Sequence, residues 1–254
     1  MSPGPARRRD APAAQRSGPS SPLRFRAMAI AATLLFGSVA RADHSESSDT
    51  DLLMINLGEE TRHVSVGHLS LFQYPWSKLE KDAHDGDLFI CHLVHEAKPL
   101  IDPDDYLPKL RGTFRYRSTY QDDINRATDL GWYLVKFGDE LNSSLQAKRA
   151  LWCIRTILIA RSAEQRDPIF APQRLAERTC SPSARDLLSN RHQRYDGTAL
   201  RSSLRRFLED EAPPDPSLEH ADRAVFVRKF ARTSNKVALQ TLRQEEESQL
   251  GYVG

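Results

Sequence analysis

The sequence predicts an α+β protein: a small mixed sheet first, then an all-helical region. Three observations carry that expectation. Apolar runs of strand length occupy Ala29 to Tyr74, and apolar spacing is helical from Tyr106 onward. Between the two halves, Asp102-Pro103-Asp104-Asp105 reads as a border, because proline and clustered acids end regular structure.

Composition narrows the class. The chain has 254 residues, 39% of them hydrophobic and 28% charged, which suits an ordinary globular protein of one large or two small domains. The longest apolar run, Ala27 to Phe36, is too short for a membrane span, so no membrane partner is expected. A net charge of +2 generates no global basic field that would demand nucleic acid. Cys91, Cys153 and Cys180 are odd in number and form no Cys-x-x-Cys pair, which argues against a disulfide framework or structural zinc and fits buried thiols in a cytoplasmic protein.

The elements follow in order. Residues 1–27 are rich in Pro, Ala, Ser and Arg with almost no apolar pattern and are expected to be a disordered tail. A mixed domain is expected over 28–104. Its strands are Ala29 to Phe36, Leu52 to Leu57, and His63 to Tyr74 with a bulge or short turn at Gly67. Its helices are one from Pro75-Trp76-Ser77, with Trp76, Leu79 and Ala83 on one face, and another over Leu88 to Lys98.

A helical domain is expected over 105–212, with helices at Tyr106 to Tyr116, Gln121 to Phe137, Ser144 to Ala163, Pro172 to Thr179, Ala184 to Gln193 and Thr198 to Glu211. In Leu145 to Ala163, an apolar face of Leu151, Ile154, Leu158 and Ile159 would leave Arg149, Arg155 and Arg161 pointing away. Pro213-Pro214-Asp215-Pro216 would end the folded part. The remainder of 213–254, sparse in apolar residues and rich in alternating charge, would be a weakly packed helix or tail.

One string carries chemistry. Leu35-Phe36-Gly37-Ser38-Val39-Ala40-Arg41-Ala42-Asp43 is an apolar strand running into a Gly-Ser turn. Ser48-Asp49-Thr50-Asp51-Leu52-Leu53 brings a second strand with two carboxylates at i and i+2, which point to the same face. Asp49 and Asp51 can therefore converge on one divalent cation. Gly37 permits a tight turn, and Ser38 offers a hydroxyl beside a backbone amide.

This string resembles the signature of the polymerase-β-like nucleotidyltransferase superfamily, above all its minimal and aminoglycoside-modifying branches. The resemblance is specific over Leu34 to Leu53 and looser to Pro103. It implies a mixed-sheet nucleotidyltransferase domain followed by a helical domain that walls the acceptor pocket. It also implies Mg²⁺ as cofactor, held by Asp49 and Asp51, and an NTP whose phosphates rest on Gly37 and Ser38. The implied reaction moves a nucleoside monophosphate to a hydroxyl on a protein, RNA or small molecule. Arg41 and Asp43 are expected to order the loop as an ion pair.

Two departures stand out. Ala42 replaces the glycine usual in that loop, so the loop geometry is open. The carboxylate that usually activates the acceptor from the next long strand is absent, since His63 to Phe72 holds no Asp or Glu. His68 is one candidate base and Glu96 another; with neither, the chain binds nucleotide and transfers slowly or not at all. His92, His95 and Glu96 lack the order of a zinc helix; His92 and Glu96 share one helical face, and packing or a helix-surface hydrogen bond is expected instead.

Two other classes stay open. A catalytically reduced, antitoxin-like module could bind nucleotide or a toxin-like helical partner; Arg185 and His192, six residues apart in between, echo the spacing of such helical RNases. An exported protein is the other, because Arg24 to Arg26, the apolar run and Ala40-Arg41-Ala42 imitate a secretory signal.

Overall fold

A computed structural model describes Met1 and residues 30–45, 48–193, 195–218 and 220–250. The expected tail, Met1 apart, and the arginines of the signal-like reading lie outside the described residues.

The first half is built on a five-stranded sheet. Strands β1 (Ile30–Phe36) and β2 (Thr50–Asn56) pair antiparallel, and β1 also pairs antiparallel with the short β5 (Lys98–Ile101). On the other side β2 runs parallel to β4 (Leu69–Pro75), which pairs antiparallel with β3 (Arg62–Val66), giving the order β3-β4-β2-β1-β5. Period-2 patterning sets which face is buried: Ala32, Leu34 and Phe36 alternate with half-buried neighbours along β1.

The strand expected over His63 to Tyr74 is two strands joined by the turn Gly67-His68. Gly67 has φ +57°, a conformation glycine adopts without a Cβ penalty, so it marks the turn of a hairpin and not a bulge in one strand.

Between β1 and β2, the expected polar loop contains a five-residue helix, α1 (Gly37–Arg41). Helices α2 (Trp76–His84) and α3 (Leu88–Glu96) follow β4. The Asp87 carboxylate caps α3 by accepting from the amides of Phe89 and Ile90. Leu79 and Ala83 of α2, with Ile90, Cys91 and Leu93 of α3, are buried with the apolar residues of β1 and β2 in one core cluster.

The second half is helical: α4 (Tyr106–Thr113), α5 (Gln121–Phe137), α6 (Ser143–Glu164), α7 (Pro172–Arg178), α8 (Pro182–Ser189), α9 (Gly197–Glu211), α10 (Arg223–Arg232) and α11 (Lys236–Leu250). The α+β class is therefore observed. None of the described helices is long and apolar enough to cross a membrane.

Two expectations are corrected here. First, α6 has no single apolar face. Arg149, Ala150, Cys153, Ile154, Ile157, Ile159, Ala160 and Ala163 are all buried, on several sides of the helix, while Leu151 and Leu158 are only half-buried. A helix enclosed by neighbours needs no amphipathic stripe, and Arg149 and Arg155 are drawn inward while the Arg161 side chain stays 43% exposed.

Second, the charged stretch after Pro216 does not pack weakly. Phe226 and Phe230 of α10 are fully buried against Tyr133 of α5, with ring centroids 5.8 and 5.6 Å away. From α11, Ala238, Thr241 and Glu245 are buried as well. Apolar residues are few here, but Phe226, Phe230, Ala238 and Leu242 fall on inward faces, and charges that follow them inside are paired. Glu245 accepts from the Tyr133 hydroxyl at 3.1 Å and meets Arg223 Nη2 at 2.7 Å. Lys229 bridges Asp129 and Asp215 at 3.0 and 2.9 Å.

Candidate functional site

The register of β1 and β2 sets Phe36 opposite Asp51. The chain leaves β1 at Gly37, where φ is +75°. A Cβ placed on Gly37 would lie 2.5 Å from Asp51 Oδ2, so only a hydrogen fits between the turn and the carboxylate. The Gly-Ser turn and the second carboxylate of the pair are thus in direct juxtaposition, although 13 positions separate Ser38 from Asp51.

The left-handed C-cap that ends α1 is Ala42, with φ 64°. Its amide donates to the Val39 carbonyl at 3.2 Å, and the Asp43 amide donates to the Ser38 carbonyl at 3.1 Å. Alanine here takes the positive φ that glycine would take, at a cost of about 1 kcal/mol. The loop keeps its shape because side chains clamp it. Arg41 Nε donates to Asp43 at 3.0 Å and Nη1 to Glu96 at 2.5 Å, and the Arg41 and Glu96 side chains are only 14% and 13% exposed. Burial alone would lower the Arg41 pKa, but the hydrogen bonds and charges of Asp43 and Glu96 hold it above its ordinary value.

Glu96 Oε2 also lies 2.7 Å from His92 Nε2, one helical turn away on α3. Glu96 is therefore engaged in holding the loop against α3. The His92 ring stacks on Phe170 at 4.5 Å and meets Phe36 edge-on at 5.7 Å, which ties β1 to the helical half.

The two carboxylates differ in surroundings. Asp49 precedes β2 and is 53% exposed. Asp51 is half-buried, and burial followed by the nearby charge of Asp49 pushes its pKa up to about 6, with Arg155 and Arg41 working against the rise. The two arginines relieve the electrostatic strain on this desolvated carboxylate beside a second one only in part. A divalent cation relieves that strain, and Mg²⁺ is commonly held by one or two carboxylates together with substrate phosphates. The Asp49–Asp51 pair fits such an ion in charge and donor type. Among the described residues no set of three or more His, Cys, Asp and Glu forms a metal cage.

His68 sits on the turn between β3 and β4. Its Nδ1 lies 3.5 Å from Asp49 Oδ1, and the Thr50 amide donates to its carbonyl at 2.7 Å. Of the two candidate bases, His68 is the one beside the carboxylate pair. On β4, Ser70 stands in register beside Asp51, 8% exposed, its hydroxyl 3.4 Å from that of Ser65.

Arg185 does not reach this region. It donates to the carbonyls of Ala176 at 3.3 Å and Thr179 at 3.0 Å, satisfying the C-terminal end of α7. Sequence reasoning missed Arg155, which acts electrostatically on Asp51 and Glu96 from the middle of α6.

No family model matches the chain, and none of the curated proteins does. Among solved structures, it is similar to a nucleotidyltransferase-like protein from Exiguobacterium sibiricum 255-15. Identity is 15%, covering 86% of this chain and 75% of that one, with a TM-score of 0.31.

Proposed function

We propose that the chain is a Mg²⁺-dependent nucleotidyltransferase that moves a nucleoside monophosphate from an NTP to a hydroxyl acceptor. The observation that carries this reading is the contact between Gly37 and Asp51, which leaves no room for a Cβ. It brings a Gly-Ser turn suited to phosphates against a carboxylate pair suited to a cation.

In this reading Asp49 and Asp51 hold Mg²⁺, which when bound polarises the α-phosphoryl group and offsets the charge of the departing pyrophosphate. Gly37 and Ser38 seat the phosphates through the Ser38 hydroxyl and the amides of the turn. The clamp of Arg41 on Asp43 and Glu96 keeps that turn in place. The acceptor oxygen forms a bond to the α-phosphorus, the bond to pyrophosphate breaks, and the hydroxyl proton goes to His68. The 3.5 Å approach of His68 Nδ1 to Asp49 Oδ1 supports that assignment.

A second reading rests on Ser70. The strand beside β2 presents a serine next to Asp51 and no carboxylate anywhere along β3 or β4. That favours a reduced module that binds Mg²⁺ and NTP without transfer.

The full chain incubated with each α-labelled NTP, Mg²⁺ and a cell extract separates the two. Label transferred by the native protein and lost in Asp49→Asn/Asp51→Asn supports transfer and identifies the acceptor class. Saturable NTP binding with no label transferred from any of the four nucleotides overturns it in favour of the binding module.

A further inference from the structure

One register row crosses the sheet through the candidate site. Phe36 stands opposite Asp51, Asp51 beside Ser70, and Ser70 opposite Ser65, so the row runs from β1 through β2 and β4 to β3. Register neighbours point to the same face of a sheet. The face that carries Asp51 therefore also carries Ser70 and Ser65, with Ser65 about 10 Å from Asp51, two strand spacings away. The next row on that face holds Leu53, Phe72 and His63.

The hairpin end of this face is open and already ordered. The Ser65 hydroxyl lies 3.4 Å from Ser70 Oγ and 3.4 Å from His63 Nε2. The His63 ring stacks on Phe72 at 4.2 Å with 16° between the planes, and Phe36 meets Phe72 edge-on at 5.3 Å. Ser65 and His63 are exposed, while Ser70 behind them is buried and Phe72 half-buried. Because β3 is the edge strand, no other described strand lies beyond His63. An exposed flat ring backed by a second ring is a stacking platform, and nucleobases stack on His as they do on Phe, Tyr and Trp. Its fixed orientation lowers the ordering cost of binding.

The reaction geometry points a nucleoside at this platform. Gly37-Ser38 follows β1 on one side of the carboxylate pair, and His68 lies on the other side, 3.5 Å from Asp49. Pyrophosphate on Gly37-Ser38 and an acceptor proton bound for His68 thus stand across the pair from each other, as in-line displacement requires. The nucleoside on the α-phosphorus has to leave across that line. Along the strands, that direction meets the hydroxyl of Ser65 and then the ring of His63.

We propose that the nucleoside of the bound NTP lies on the β3–β4 hairpin, its ribose bonded to the Ser65 hydroxyl and its base stacked on His63. This rests on the nucleotidyl-transfer reading above.

The test is calorimetric titration of the full chain in Mg²⁺ with a non-hydrolysable NTP analogue and, separately, with inorganic tripolyphosphate, which carries the phosphates and no nucleoside. His63→Ala is expected to weaken the analogue about tenfold or more and to leave tripolyphosphate unchanged. His63→Phe, which keeps a flat ring beside Phe72, should retain most of the affinity. Stacking tolerates every base, so the loss should be similar for all four nucleotides. An unchanged analogue affinity in His63→Ala, or a parallel fall for both ligands, would overturn the proposal. Tripolyphosphate binding that is lost in Asp49→Asn/Asp51→Asn would, in either case, leave the nucleotidyl-transfer reading standing. No Mg²⁺-dependent binding of either ligand by the native chain would sink that reading, and the nucleoside seat with it.

Discussion

Gly37 lies against Asp51 so closely that a methyl group on the glycine would come 2.5 Å from the carboxylate oxygen Oδ2. The same glycine holds φ at +75°. Steric room and backbone conformation therefore both demand glycine at this point. Gly37→Ala should destabilise the fold by at least about 1 kcal/mol from the backbone alone. It should also push Asp51 aside. Chemical denaturation checks the first effect. A loss of Mg²⁺ binding larger than the fall in stability explains would report the second.

Asp51 predicts a pH dependence with a definite sign. Its folded pKa of about 6 stands above the ordinary carboxylate value of 3.8, so the folded chain binds this proton more tightly than the unfolded chain. The stability it contributes is complete below pH ~4 and is lost as pH rises through 6. In metal-free buffer, Asp51→Asn should accordingly gain melting temperature relative to the native protein between pH 4 and pH 7. Added Mg²⁺ should stabilise the native protein at pH 7 and leave Asp51→Asn unchanged. An equal response of both proteins to Mg²⁺ would remove Asp51 from the metal site.

Glu96 holds the loop from α3 through Arg41 and His92. Glu96→Gln keeps the shape but removes the charge from two mostly buried partners. The expected loss is about 1–3 kcal/mol of stability, as for other hydrogen bonds to charged groups. Proton exchange of the amides of Ala42 and Asp43 should quicken at the same time. Unchanged exchange would show that the α1 cap holds without the clamp.

The C-terminal helices belong to the core of the helical half. Phe230 is fully buried beside Tyr133 and Phe226, so Phe230→Ala should cost about 3–5 kcal/mol. Ending the chain at Ala212 should have a still larger effect, because it uncovers Tyr133 and leaves Asp129 without Lys229. A truncated protein with native melting behaviour would contradict this packing.

The signal-like reading of the N-terminus meets a structural obstacle. Cleavage after Ala42 would remove β1, which pairs with both β2 and β5 and buries Ala32, Leu34 and Phe36. Intact mass of the native protein decides the matter. A mature form starting at Asp43 would sink both the sheet described above and the proposed enzyme.

Local signals made much of this molecule legible. Apolar runs of strand length specified β1 and β2, and Gly67 marked the break that became the β3–β4 turn. Helical spacing gave α5 its full span, Gln121 to Phe137. Gly37-Ser38 and Asp49-x-Asp51 could be joined in thought because a strand's period of two places alternate residues on one face. The sequence by itself thus determined the α+β class, the strand and helix content near the site, and the residue types that meet there. Those properties depend on neighbours a few positions apart.

What lay in the relation between distant segments was decided by the tertiary structure alone. Helical periodicity could not show that α6 is enclosed, so Arg155 read as a surface charge until the sheet half was set beside it. Nor could it show that sparse apolar residues such as Phe226 and Phe230 would meet Tyr133, about 90 positions earlier in the chain. Glu96 changed from a candidate base to a clamp for the same reason: its partner Arg41 lies 55 residues away. Burial and charge pairing depend on what surrounds a side chain in space, and a linear pattern records only what precedes and follows it.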